Sequence, residues 1–278
     1  MKKIRFGLSP CPNDTFMFYG LLKAGIGSHK YSFYPVISDI EDLNRHALEG
    51  RLDITKVSIH VCALVLKDYA LLRSGAALGR GCGPLIVTRK EFVDRPLEEL
   101  TIAVPGRHTT AALLLGLYNK KAFERAIEMP FHQIMPAIKK GKLQAGVIIH
   151  EGRFVYHLFG LQKIEDLGQW WEDRTGLPLP LGGIIGRRDL GHECLLEVEE
   201  MIRESILLAR RWPSGLEGFI RAHAQEMDPS VIRKHIDTYV NEYSLELGPE
   251  GTKAIKRLFE EAALEGIIPE TPKEVFLH

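Results

Sequence analysis

At 278 residues the chain can form one large domain or two units of ordinary size. Its 45% apolar and 26% charged composition excludes disorder, collagen-like repeats and coiled coil. The 36 basic residues balance the 36 acidic ones, so the global positive field of a nucleic-acid binder is missing.

From the N-terminus, Ile4 to Leu8 reads as a strand. This run is shorter than the roughly 7–15 apolar residues of a secretory leader, so the protein is expected in the cytoplasm. Further strand-like runs follow at Tyr31 to Val36, Ile54 to Val57, Tyr69 to Leu72, Leu85 to Thr88, Thr101 to Val104, Ala145 to Ile149 and Gly183 to Gly186. Helical patterns fall between them, as at Phe16 to Leu22, Asp39 to Glu49 and Ala111 to Tyr118, and this alternation predicts an α/β fold with mainly parallel sheets. From Leu190 onward strands stop. Leu195 to Trp212, Leu216 to His223, Ser230 to Tyr239 and Pro249 to Glu265 read as amphipathic helices. The longest apolar stretches, Val61 to Leu66 and Ala111 to Leu117, are far shorter than the ~20 residues of a membrane span.

An internal echo suggests two similar halves. A helix ending at Gly50 leads into Ile54 to Ser58, and a helix ending at Gly141 leads into Ala145 to Ile149. Aligning the two glycines sets Ser58 and His60 beside Ile149 and His150, past the carboxyl ends of equivalent strands, where open α/β sheets bind ligands. The division expected is a larger unit of residues 1–92 and 185–278, a smaller one of 93–184, and a ligand cleft between them.

Four segments carry more polar and small residues than packing requires. Ser9 to Phe16 follows the first strand, with Asn13 or Asp14 available to cap a helix and two prolines fixing the turn. Thr55-Lys56-Val57-Ser58 offers a cation and hydroxyls at a strand end. Pro105 to Thr110, with Thr109 and Thr110 before a helix, has the makings of an anion-holding loop, though not of a Walker motif. His150-Glu151-Gly152-Arg153 brings an imidazole out of an apolar strand, which makes His150 the leading general-base candidate, with His60 and His108 next. HExxH, GxSxG and GxGxxG are all absent. Cys11, Cys62, Cys82 and Cys194 form no CxxC, so neither a metal site nor a disulfide framework is indicated. Gly79 to Pro84 precedes its strand, the wrong order for a dinucleotide fingerprint, and suits a close backbone approach or a crossing between halves.

In this order and spacing, SPCPNDTF, ALEGRLDITKVS, LGRGCGPL, VPGRHTTA, VIIHEGRF and WWEDRTGLPLPLG resemble the 1,4-dihydroxy-6-naphthoate synthases of the futalosine route to menaquinone. The resemblance implies a two-lobed, periplasmic-binding-protein-like (type II) fold. It also implies a lyase acting on a small molecule, cyclic dehypoxanthine futalosine, without metal or organic cofactor and without nucleic acid. By motif, His150 would be the base, and Thr55, Lys56, Val57, Ser58, Thr109 and Thr110, together with Asn13 and Asp14, would line the substrate site. A solute-binding protein with the same fold would need no base in its cleft. A deaminase would need a cofactor-bearing cysteine or a carboxylate catalyst that no motif supplies.

Overall fold

The computed structural model describes residues 1–224 and 228–277. The first part of the chain runs β1 (Lys2–Leu8), α1 (Pro12–Leu22), β2 (Tyr31–Ile37), α2 (Ile40–Leu48), β3 (Ile54–Ser58), α3 (Ile59–Val65), β4 (Tyr69–Leu71) and β5 (Ala77–Gly79). The middle runs β6 (Leu85–Thr88), β7 (Ile102–Val104), α4 (Thr110–Tyr118), α5 (Lys120–Arg125), β8 (Ile127–Glu128), α6 (Phe131–Lys139), β9 (Ala145–Ile148), α7 (Gly152–Val155), β10 (Gln162–Asp166) and α8 (Leu167–Thr175). After β11 (Leu179–Arg187) come α9 (His192–Arg210), α10 (Leu216–Arg221), α11 (Pro229–Tyr239), α12 (Glu242–Leu245) and α13 (Gly248–Leu264).

Two sheets result. The first has the order β2-β1-β3-β11-β4, with β5 also paired to β11, and the second has the order β10-β6-β9-β7-β8. The βαβ units are parallel, as in β1 with β2 and β3, and β7 with β8 and β9. The expectation of mainly parallel sheets is corrected, however. β11 runs antiparallel to β3, β4 and β5, and β6 runs antiparallel to β9 and β10. Each of these two strands has just arrived from the other sheet and enters against its neighbours. Sheet membership therefore changes over within 80–84 and 167–178 rather than near residues 92 and 185, because Leu85 to Thr88 pairs in the second sheet and Leu179 already pairs in the first.

Local chemistry sets the crossings. A Cβ on Gly83 would sit 2.3 Å from Cα of Gly168, so the two backbones touch where only glycine fits. β11 begins four residues earlier than the sequence suggests. Pro180 and Gly182 look like strand breakers but lie at a shift in register against β5, a bulge that admits both.

The echo noted in the sequence has a matching local geometry. Arg51 N–H bonds His46 O at 2.9 Å and Gly50 N–H bonds Ala47 O at 3.0 Å, while Lys142 N–H bonds Ala137 O at 2.9 Å and Gly141 N–H bonds Ile138 O at 3.0 Å. Both helices thus end in a Schellman motif, with Gly50 at φ 66° and Gly141 at φ 73°. One apolar cluster runs continuously from the first sheet (Val57, Leu71, Leu78) through α4 and α13 to the second sheet (Ile86, Ile102, Val147). A second cluster fills the space between the first sheet and α1, α9, α10 and α11. Among the described residues no helix is long and apolar enough to cross a membrane.

Candidate functional site

Four strands aim their carboxyl ends at one pocket. β1 leads to Ser9, Asn13 and Asp14, β3 ends in Lys56 and Ser58, β7 leads to Thr109 and Thr110, and β9 leads to Ile149 and His150. Leu181 and Gly182 of β11, Cys82 to Pro84 from the crossing, and His235 and Tyr239 of α11 also border this pocket, a partly open space of about 650 Å³ with its solvent included.

The β3 segment is divided by strand alternation. Lys56 and Ser58 face the pocket, while Thr55 and Val57 point to the opposite side and do not line it. Thr55 is fully buried against Gly7 and donates its hydroxyl to Lys56 O at 2.9 Å, and Val57 belongs to the apolar core. A substrate-lining role for these two is corrected on that ground.

Lys56 is 4% exposed. Its ammonium lies 3.5 Å from Asp14 Oδ1 and donates to Gly75 O at 3.1 Å, so it does not stand as a spare cation. Asp14 also accepts from Ser9 N–H at 3.0 Å, Ser9 Oγ at 2.8 Å and Asn13 Nδ2 at 2.9 Å. These bonds explain why neither Asn13 nor Asp14 caps α1: Cys11 occupies the cap position, Pro12 opens the helix, and the two polar side chains turn into the pocket. Across from them, Thr109 caps α4 by accepting from Ala112 N–H at 3.2 Å, and Thr110 donates its hydroxyl to Leu181 O at 2.6 Å.

His150 follows β9 with φ 54°, a left-handed conformation uncommon for a residue carrying a Cβ. Phe131 packs on its ring at 4.9 Å, and the Cys11 sulfur lies 3.5 Å from Nδ1. The residue as a whole is partly exposed. Enclosure by protein nevertheless pushes its pKa below the ordinary histidine value, against the opposing pull of Asp39 and Asp14. Burial also pushes the Cys11 thiol well up, with Glu151 acting the same way, so this sulfur faces His150 as a thiol and not as a nucleophilic thiolate. All four cysteines are free and buried.

The other histidines near the site are occupied differently. His60 is buried beneath the pocket with a pKa lowered to about 4, first by desolvation and then by His108, and does not line it. His108 bonds Glu41 and is held above the ordinary value by that carboxylate. Among the described residues no group of three or more His, Cys, Asp or Glu side chains is placed to hold a metal ion.

The sequence profile of a family described as menaquinone biosynthesis matches residues 4–264. The chain belongs to this family. Within the menaquinone biosynthesis family it is 48% identical over 277 residues to the 1,4-dihydroxy-6-naphthoate synthase of Thermus thermophilus, covering 100% of each chain. It is 44% identical to the enzyme of that name from Streptomyces coelicolor, covering 96% of this chain and 95% of that one. Among solved structures, a protein from Archaeoglobus fulgidus matches with TM-score 0.87 and 36% identity over 96% of this chain and 98% of that one. The periplasmic aliphatic sulphonate binding protein of Escherichia coli matches with TM-score 0.67 at 11% identity over 100% and 91% of the two chains, which identifies the fold as that of the periplasmic binding proteins. In this member of the menaquinone biosynthesis family, sequence reasoning did not single out His235 and Tyr239. A histidine at position 235 and a tyrosine at 239 share the buried face of α11 with Ile232 and Ile236, and that i, i+4 spacing was the available signal.

Proposed function

We propose that the protein is a 1,4-dihydroxy-6-naphthoate synthase: a cytoplasmic lyase that cleaves cyclic dehypoxanthine futalosine to 1,4-dihydroxy-6-naphthoate and a small sugar-derived fragment, with no part for nucleic acid. The observation that carries the reading is the placement of His150, which lines the pocket in a strained left-handed conformation with its imidazole kept neutral. A neutral imidazole accepts a proton from the carbon next to the activated centre of the bicyclic ring system. Carbon–carbon and carbon–oxygen cleavage then follow, driven by the gain of aromaticity, and the base needs no other group to be ready at neutral pH.

The remaining lining supports the same chemistry. Thr110 and Ala111 form the first turn of α4, whose backbone amides and dipole suit the substrate carboxylate. Ser9, Ser58 and Thr109 supply hydroxyls to the sugar part. We read the two sheets as two lobes whose approach encloses the substrate and excludes water.

The test is direct. Purified protein is mixed with cyclic dehypoxanthine futalosine, and naphthoate release is followed by chromatography and mass. Tight binding without turnover would replace the lyase reading with that of a solute-binding protein.

A further inference from the structure

His235 is 1% exposed and lines the pocket from α11. Its Nε2 lies 2.9 Å from Oδ1 of Asn13. The neighbouring bonds decide which ring nitrogen carries the proton. Asn13 directs its Nδ2 to the Asp14 carboxylate, which faces the Lys56 ammonium and takes two donors from Ser9, and a carboxylate so placed accepts. The Asn13 amide is therefore fixed with its oxygen toward His235, and that oxygen requires a donor. Nε2 is the protonated nitrogen.

Burial keeps this imidazole neutral by pushing its pKa well below the ordinary value, and His150 acts in the same direction. Nδ1 is then a bare lone pair, buried and without a hydrogen-bond partner among the described residues. Such an acceptor is costly in a folded protein and is ordinarily satisfied by a ligand or an ordered water. The His235 and His150 rings lie 6.1 Å apart and nearly parallel, at 18°, so a group bound at His235 sits beside the base.

We propose that Nδ1 of His235 accepts a hydrogen bond from a hydroxyl of the substrate and so positions its polyhydroxylated part next to His150. The proposal rests on reading this pocket as the substrate site. It adds an orientation rule. Nδ1 of His235 demands a donor, which an ionised carboxylate cannot provide, whereas the first turn of α4 favours an anion. The carboxylate end and the hydroxyl end of the substrate are thus told apart by opposite requirements of the pocket.

Two variants separate this contact from packing. His235→Gln can keep a nitrogen donor facing Asn13 while losing the Nδ1 acceptor, and His235→Asn can place an amide oxygen near Nδ1 while losing the bond to Asn13. The expected result is a KM for cyclic dehypoxanthine futalosine roughly tenfold to a hundredfold higher in His235→Gln at near-native Tm. His235→Asn should recover most of the affinity despite a lower Tm. Affinity that instead tracks Tm across the two variants overturns the contact and leaves His235 a packing residue. A second readout uses the His150→Ala variant, saturated with the same compound, and the ¹⁵N resonances of His235. Nδ1 should begin in the unprotonated range and move toward the protonated one on binding, and a stationary resonance overturns the proposal. Absence of turnover and binding in the native protein removes the lyase reading and this contact together. Native turnover with an unchanged KM in His235→Gln removes the contact alone.

Discussion

The Nδ1 of His108 lies 2.9 Å from Oε1 of Glu41, joining the loop after β7 of the second sheet to helix α2, which packs on the first. The same side chain takes the Asn44 amide at 3.2 Å, and Asn44 in turn bonds Ser58 N–H and Oγ at 2.9 and 3.1 Å inside the pocket. One buried carboxylate therefore couples the apposition of the sheets to a pocket-lining residue.

Glu41→Gln should weaken this link in a pH-dependent way. Glu41 raises the pKa of His108, so the stabilisation is fully present below the unfolded histidine value of about 6.5 and is lost as pH rises through the higher folded value. The variant should thus lose more stability at pH 5.5 than at pH 8.5. Because the imidazole is more than a third exposed, the loss should stay within about 1 kcal/mol. Urea unfolding at the two pH values checks the sign, and a larger loss at pH 8.5 would contradict it.

Gly106→Ala should be more damaging. Its φ of 152° strains any side chain, and a Cβ there would stand 2.4–2.5 Å from the Glu41 carboxyl group. Backbone strain and a forced rotation of Glu41 together should cost about 1–3 kcal/mol. Thermal unfolding combined with KM should show both falling stability and weaker substrate binding, since the His108 link and Thr109 move with this loop.

His150→Ala should keep the fold and lose turnover by about 10²- to 10⁴-fold, with KM little changed, because a base acts mainly in the transition state. In the native protein the depressed pKa places the acid limb of kcat/KM below the ordinary histidine value, so activity should begin to fall at a lower pH than an ordinary imidazole base would give. The variant should lack this limb. A pH–rate profile shared by both proteins would put the base elsewhere.

The Asp14–Lys56 pair offers an asymmetric test. Asp14→Asn leaves the Lys56 ammonium buried against an amide and should cost about 3–5 kcal/mol in urea unfolding. Lys56→Met leaves Asp14 with its bonds from Ser9 and Asn13, and should cost less. Equal costs would show that those bonds do not hold the carboxylate.

Much of the site was legible in the sequence because its residues follow strands. Asn13, Asp14, Lys56, Ser58, Thr109, Thr110 and His150 all reach one pocket. Thr55 and Val57 could not be separated from Lys56 and Ser58 until the face of β3 was known, since alternation fixes the spacing of side chains and not which set faces in. β10 escaped notice because Gln162, Lys163 and Glu165 give an edge strand a polar pattern. His235 is brought to the pocket by α11, which packs on α1 across a separation of more than 200 residues. No local pattern records such a meeting.

The position of β11 has a consequence for how the protein is made. β1 to β5 leave the ribosome first, but the strand that lies between β3 and β4 spans residues 179–187. The second sheet, drawn wholly from residues 85–166, is complete before that strand exists. During synthesis β3 therefore waits with an open edge, a topology that slows folding and leaves the edge exposed to wrong partners. Gly182 pairs with Ser58, and Ile184 pairs with Lys56. Insertion of β11 thus closes the sheet and supports the binding floor in one event, and the pocket is completed only when α11 brings His235 and Tyr239 to it, near the end of synthesis.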